Sequence, residues 1–126
     1  MTDNRVPFNP RKYLNKDLIN KSPPLDVWIQ GTVEQTVGND ILIISDCSGR
    51  VKVVKCKSAD GLINKSPLQK GTYCCILGVA KKTTGLPEIE AIKCIDLTSQ
   101  PHMRTAWEAD VREAELVLEG KFVFKI

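Results

Sequence analysis

Between Val27 and Ile95 apolar and polar residues alternate with a period of two, and a glycine interrupts two of the alternating runs. That pattern restricts the fold more tightly than anything else in the chain, because it asks for short, half-buried strands and for places where a strand must bend. Val27, Ile29 and Val33 alternate against Trp28, Gln30 and Thr32, which predicts a first strand. Gly31 would weaken an ordinary strand, so it reads as a bulge or sharp bend that lets a sheet curl into a small barrel. Ile41 to Ser45 is a second, mostly β-branched run; Asp46, Cys47, Ser48 and Gly49 form a polar turn, and Val51, Val53 and Val54 resume beyond it. This predicts an antiparallel hairpin of strands two and three.

Lys57 to Gly71 is a longer connection, Tyr73 to Ala80 with Gly78 inside it is a fourth strand, and Ile89 to Ile95 is a fifth. Five short strands with a pause between the third and fourth are the element order of an OB-fold, a five-stranded Greek-key barrel. The expected fold is therefore mainly β, a barrel over residues 25–98. After Ser99 and Pro101 the period becomes helical, and Met103, Trp107, Val111, Ala114 and Leu118 form one apolar stripe. A C-terminal α-helix over 99–119 follows, with Ser99 as its cap, Gly120 ending it, and Arg104–Glu108 and Glu108–Arg112 as i,i+4 ion pairs. A chain of 126 residues supports one such core and little more.

Residues 1–24 are polar and broken by four prolines around one short amphipathic stretch, Tyr13, Leu14, Leu18 and Ile19. They read as an N-terminal arm, either a short helix packed on the barrel end or a mobile segment. The hexapeptide LINKSP occurs at Leu18–Pro23 and again at Leu62–Pro67, each time ahead of a strand with an internal glycine, as a shared way of entering a strand. In the tail, 120–126, Phe122, Phe124 and Ile126 alternate, which suits an added strand. No stretch approaches the length a membrane span needs. Five cysteines, an odd number, with no apolar signal segment read as reduced thiols in an intracellular protein. Cys74 and Cys75 are strand neighbours that point to opposite faces, so one or the other, with Cys94, is expected as a core filler and Cys47 as the exposed thiol.

Catalytic signatures are missing: there is one histidine, no phosphate-binding glycine loop and no HExxH. No CxxC knuckle offers zinc a tetrahedral set, and no cofactor is expected. Nucleic-acid binding on an OB-fold needs stacking aromatics and cations on the face of strands two and three. ILIISDCSGRVKVVKC contains no aromatic residue; Arg50, Lys52, Lys55, Lys81 and Lys82 are the cations that a single-strand-binding alternative would use. A net charge of +3 is too mild to announce a phosphate backbone as ligand. The stripe on the C-terminal helix carries the alternative to packing on its own barrel: a partner interface formed by Met103, Trp107, Val111, Ala114 and Leu118, since tryptophan is enriched among interface anchors and a helix appended to a complete barrel has no obvious internal groove.

The segments VWIQGTV from Val27, DCSGRVKV from Asp46, KGTYCCILGVA from Lys70 and AIKCIDLTSQPHMRTAWEADVREAEL from Ala91 resemble the RecQ-mediated genome instability protein 2 family. The resemblance covers roughly Leu25 to Leu116 and is most specific at DLTSQPHMRTAW, where the last strand meets the helix. It implies a non-catalytic, nuclear OB-fold subunit that pairs with the C-terminal OB domain of a larger genome-instability subunit. Through that subunit it implies association with topoisomerase III and a Bloom-type RecQ helicase in Holliday-junction dissolution, with little direct binding of nucleic acid. Trp107 matches the family's helix tryptophan and Val111 a matching apolar position.

Overall fold

The computed structural model describes residues 8–62, 66–118 and 120. Its elements in chain order are β1 (Arg11–Lys12), a 3-10 turn (Asn15–Leu18), β2 (Leu25–Val37), β3 (Ile41–Ser45), β4 (Arg50–Val54), a second 3-10 turn (Cys56–Ser58), β5 (Tyr73–Lys82), β6 (Glu88–Asp96) and α1 (Pro101–Leu118). Strands β2 to β6 close on themselves in the order β2-β3-β4-β6-β5, with β5 returning to β2. All neighbours are antiparallel except β4 and β6, which run parallel. This is the five-stranded OB-fold barrel, capped by one C-terminal helix.

β2 achieves the closure by serving two partners. Leu25 to Thr32 pair with β5, and Thr32 to Val37 pair with β3. Gly31 lies at the handover, where a Cβ would stand 2.5 Å from the Ser45 carbonyl oxygen and 2.7 Å from the Ile44 side chain. Glycine is required there by the close approach of two strands rather than by a bulge. The bulge follows at Glu34, the residue skipped between Val33 and Gln35 in the β2–β3 register. Gly78 does sit at a register shift, on β5, and a Cβ there would be driven into the Glu90 carbonyl oxygen.

Inward-facing residues build one core from Val27, Ile29, Val33, Ile44, Val51, Val53, Ile76 and Ile89. The arm stops one end of it. Leu18 is fully buried in this core and Leu62, partly buried, packs against it, so the leucines of both LINKSP copies serve the same core. Residues 63–65 of the second copy, and the alternating tail from residue 121 on, lie outside the described residues. Asn15 fixes the arm: its side-chain amide donates to the carbonyls of Ile44 (3.3 Å) and Gly49 (3.0 Å), and its backbone N–H donates to Asp46 Oδ2 (2.9 Å). β1 adds a short parallel edge to β2, matching Arg11 with Val27 and Lys12 with Trp28. Cys56, Cys74, Cys75 and Cys94 are buried and Cys47 is exposed. Burial pushes the Cys75 thiol up to about 12.

Candidate protein interface

The helix begins at Pro101, whose missing N–H costs nothing in the first turn. Ahead of it Asp96 Oδ1 accepts the Thr98 N–H at 2.8 Å, and the Gln100 carbonyl accepts the Met103 N–H at 3.0 Å; Ser99 makes no side-chain bond to the helix among the described residues. At the other end Gly120 takes a positive φ of 70° and donates to the Val117 carbonyl, the glycine stop expected from the sequence.

The apolar stripe divides in two. Trp107 and Val111 are buried and form a second, smaller core with Leu14 of the arm and the half-buried Trp28 of β2. The indoles of Trp28 and Trp107 stack with centroids 6.2 Å apart and 26° between their planes. Lys12 of β1 closes the other side, its Nζ 4.6 Å from the Trp28 ring centroid. In the free chain Trp107 and Val111, two residues of the expected partner interface, anchor the helix on its own barrel. The physical reason is the arm, because Leu14 and β1 build, beside Trp28, the internal groove that a bare barrel lacks. Sequence reasoning missed Leu14 and Lys12 as parts of this seat; the only signal was the amphipathic stretch from Tyr13 to Ile19.

The rest of the stripe is open. Met103 and Ala114 are half-buried, no described residue after Val111 is buried, and Leu116, Val117 and Leu118 are 41%, 47% and 58% exposed. The last turn of the helix therefore presents aliphatic side chains to solvent. The expected i,i+4 ion pairs are replaced by other contacts. Arg104 lies 5.2 Å from the Tyr73 ring centroid, the Cys47 thiol is 3.9 Å from Glu108 Oε2, and Arg112 pairs with Glu115 at 3.4 Å.

The cations of the alternative site are held in a cross-strand ladder. Arg50 Nε meets Glu34 at 2.8 Å, Lys52 meets Glu88 at 3.7 Å, and Glu90 holds both Lys55 and Lys81, the latter at 3.6 Å. The hydrogen bond from Lys55 holds the Glu90 carboxyl below the usual carboxylate range and raises the Lys55 ammonium in turn. Lys82 is exposed at the end of β5. Four of the five cations thus already have a carboxylate partner, and β3 and β4 carry no aromatic side chain. No cluster of metal-ligating side chains is found among the described residues, and no described helix is long and apolar enough to cross a membrane.

The profile that describes RecQ-mediated genome instability protein 2 matches residues 14–115. RecQ-mediated genome instability protein 2 of Bos taurus is 30% identical over 88 residues, which are 69% of this chain and 54% of that protein, so the chain spans about half the length of this relative. Among solved structures, telomere capping protein Ten1 of Saccharomyces pombe superposes with a TM-score of 0.59 at 15% identity, covering 82% of this chain and 99% of that one. A chain of the S. pombe Stn1-Ten1 complex matches with a TM-score of 0.59 at 14% identity over 82% of this chain and 93% of that one. A chain of U. maydis replication protein A, solved with single-stranded DNA, gives a TM-score of 0.61 at 17% identity over 90% of this chain and 97% of that one. At such identities these structures establish the shared OB-fold.

Proposed function

The chain belongs to the RecQ-mediated genome instability protein 2 family, and from that membership we propose that this OB-fold genome-stability protein is a non-catalytic partner subunit. It pairs through α1 with the C-terminal OB domain of the larger genome-instability subunit. In that assembly it stabilises and recruits a nuclear complex of topoisomerase III and a Bloom-type RecQ helicase for Holliday-junction dissolution. The observation that carries the reading is the exposed aliphatic surface of Leu116, Val117 and Leu118 on a helix whose first turns are locked to the barrel by Trp107. A rigid seat presents that surface in one orientation, which lowers the ordering cost of docking. The ion-paired face and the lack of stacking aromatics favour protein over nucleic acid as the ligand. That S. pombe Ten1 is found in a complex with Stn1 supports a barrel of this fold acting as half of a heterodimer.

Solution mass of the chain mixed with that OB domain from the same organism tests the reading. The expected result is a stable one-to-one complex that Val117→Asp weakens by about a hundredfold or more, because an aliphatic contact worth roughly 1.5–3 kcal/mol is lost and a carboxylate must be desolvated. A mixture that stays monomeric, or a complex indifferent to Val117→Asp and Leu118→Asp, overturns it.

A further inference from the structure

At the end of the barrel where the arm enters, three segments distant in sequence enclose a second feature that α1 does not touch. The 3-10 turn of the arm, the β3–β4 turn and the β5–β6 turn wall a groove of about 520 Å³. Its walls are tied in place. Beyond the Asn15 bonds, the Lys16 N–H donates to Ser48 Oγ at 3.0 Å, the Asn20 N–H donates to the Thr83 carbonyl at 3.0 Å, and the Thr83 hydroxyl donates to the Lys21 carbonyl. The groove is therefore formed before any ligand arrives.

Its lining has a definite chemistry. Ile19 and Leu86, two of the exposed large aliphatic residues of the molecule, are 42% and 41% exposed and both line it. Among the described residues Lys16 and Arg50 are the charged ones that line it, and none is a carboxylate. Glu34 engages Arg50 at Nε, which leaves the donors of the two terminal guanidinium nitrogens. Aliphatic walls gain from covering by another aliphatic side chain, and cations at the rim select carboxylates over other polar groups. Among the described residues no aromatic side chain lines the groove, so they give a nucleic-acid base nothing to stack on.

The geometry points to a docking groove for a short extended segment of another protein in which an aliphatic side chain stands next to one or two carboxylates. The aliphatic group sits between Ile19 and Leu86, and the carboxylates meet Lys16 and Arg50. No described residue of α1 lines the groove.

The test is selection of a displayed library of random twelve-residue peptides on the full chain, followed by anisotropy titration of the labelled consensus peptide. Expected are sequences that join Leu or Ile to Asp or Glu, whose affinity falls at least about tenfold on Leu86→Asp and again on Lys16→Glu. Both side chains are exposed, and an unchanged far-UV spectrum verifies that each variant keeps the fold. No enrichment, enrichment of basic or aromatic peptides, affinity indifferent to both substitutions, or displacement of the peptide by single-stranded DNA each overturns the proposal.

Discussion

Replacing Trp107 by alanine separates the two roles that a tryptophan in this stripe can have. In the structure the side chain is 4% exposed and packs on Leu14, Val111 and Trp28. Truncating a buried tryptophan costs about 3–5 kcal/mol, a range that already includes what its stack with Trp28 contributes. The Trp107 indole N–H has no partner among the described residues, so no hydrogen bond is lost and the cost is one of packing. Trp107→Ala should therefore lower the stability of the isolated chain by about 3–5 kcal/mol, a large share of the 5–15 kcal/mol of a typical domain. Urea denaturation followed by far-UV circular dichroism reads this directly, and the emission of Trp28, uncovered by the truncation, should shift to the red in the native baseline. Val117→Asp in the same assay should stay within about 0.5 kcal/mol of the parent, as expected for an exposed site. A Trp107→Ala chain that unfolds within about 1 kcal/mol of the parent, yet no longer pairs with the larger subunit's domain, would refute the internal seat and return the whole stripe to the partner.

Gly31→Ala forces a Cβ against the Ser45 carbonyl at the β2 handover, and overpacking of this kind should cost about 1–3 kcal/mol or more in the same urea titration. Asp46 accepts from the Ser48 N–H (2.7 Å), the Ser48 hydroxyl (2.6 Å), the Gly49 N–H (3.0 Å) and the Asn15 N–H (2.9 Å). Asp46→Ala should thus lower stability by roughly 1.5–3 kcal/mol, the range for hydrogen bonds to a charged group, and loosen the arm, seen as faster amide exchange at Asn15 and Lys16. Glu90 titrates below an ordinary glutamate because Lys55 bonds its charged form, so its contribution is present above pH 4.5 and is lost as pH falls through the lowered value. Carbon-13 NMR should show that midpoint rising toward the ordinary value in Lys55→Gln. In the native chain a thiol reagent such as Ellman's should modify Cys47 rapidly and the four buried cysteines only on unfolding.

The strands and the helix were legible because their signals are local. Alternation marks Ile41–Ser45 and Arg50–Val54 within a residue of the observed bounds, and a 3.6-residue stripe between Pro101 and Gly120 marks α1. Gly31 and Gly78 announced that the sheet must bend, although the reason at Gly31 proved to be a carbonyl on the neighbouring strand. The arm was ambiguous for the opposite reason. Its 3-10 turn is held by bonds to Ile44, Asp46, Ser48 and Gly49, about thirty residues away, and nothing in the arm's own sequence encodes them.

The same distinction governs the candidate sites. Residue types alone showed that ILIISDCSGRVKVVKC carries no aromatic side chain, because a residue type absent from a segment is absent in any arrangement. Whether a residue that is present faces inward or outward depends on register and on what covers it. Period two set Trp28 on the face of β2 opposite Val27 and Ile29, and period 3.6 placed Trp107 on the apolar side of α1. Their 6.2 Å stack exists because Leu14 and Lys12 complete the seat between them. Likewise Arg50 and Lys52 of β4 and Lys55 just after it look free along the chain, and only closure of the barrel sets Glu34, Glu88 and Glu90 beside them. Composition and periodicity are properties of neighbouring residues, whereas burial and charge pairing are properties of residues that meet only once the chain has closed on itself.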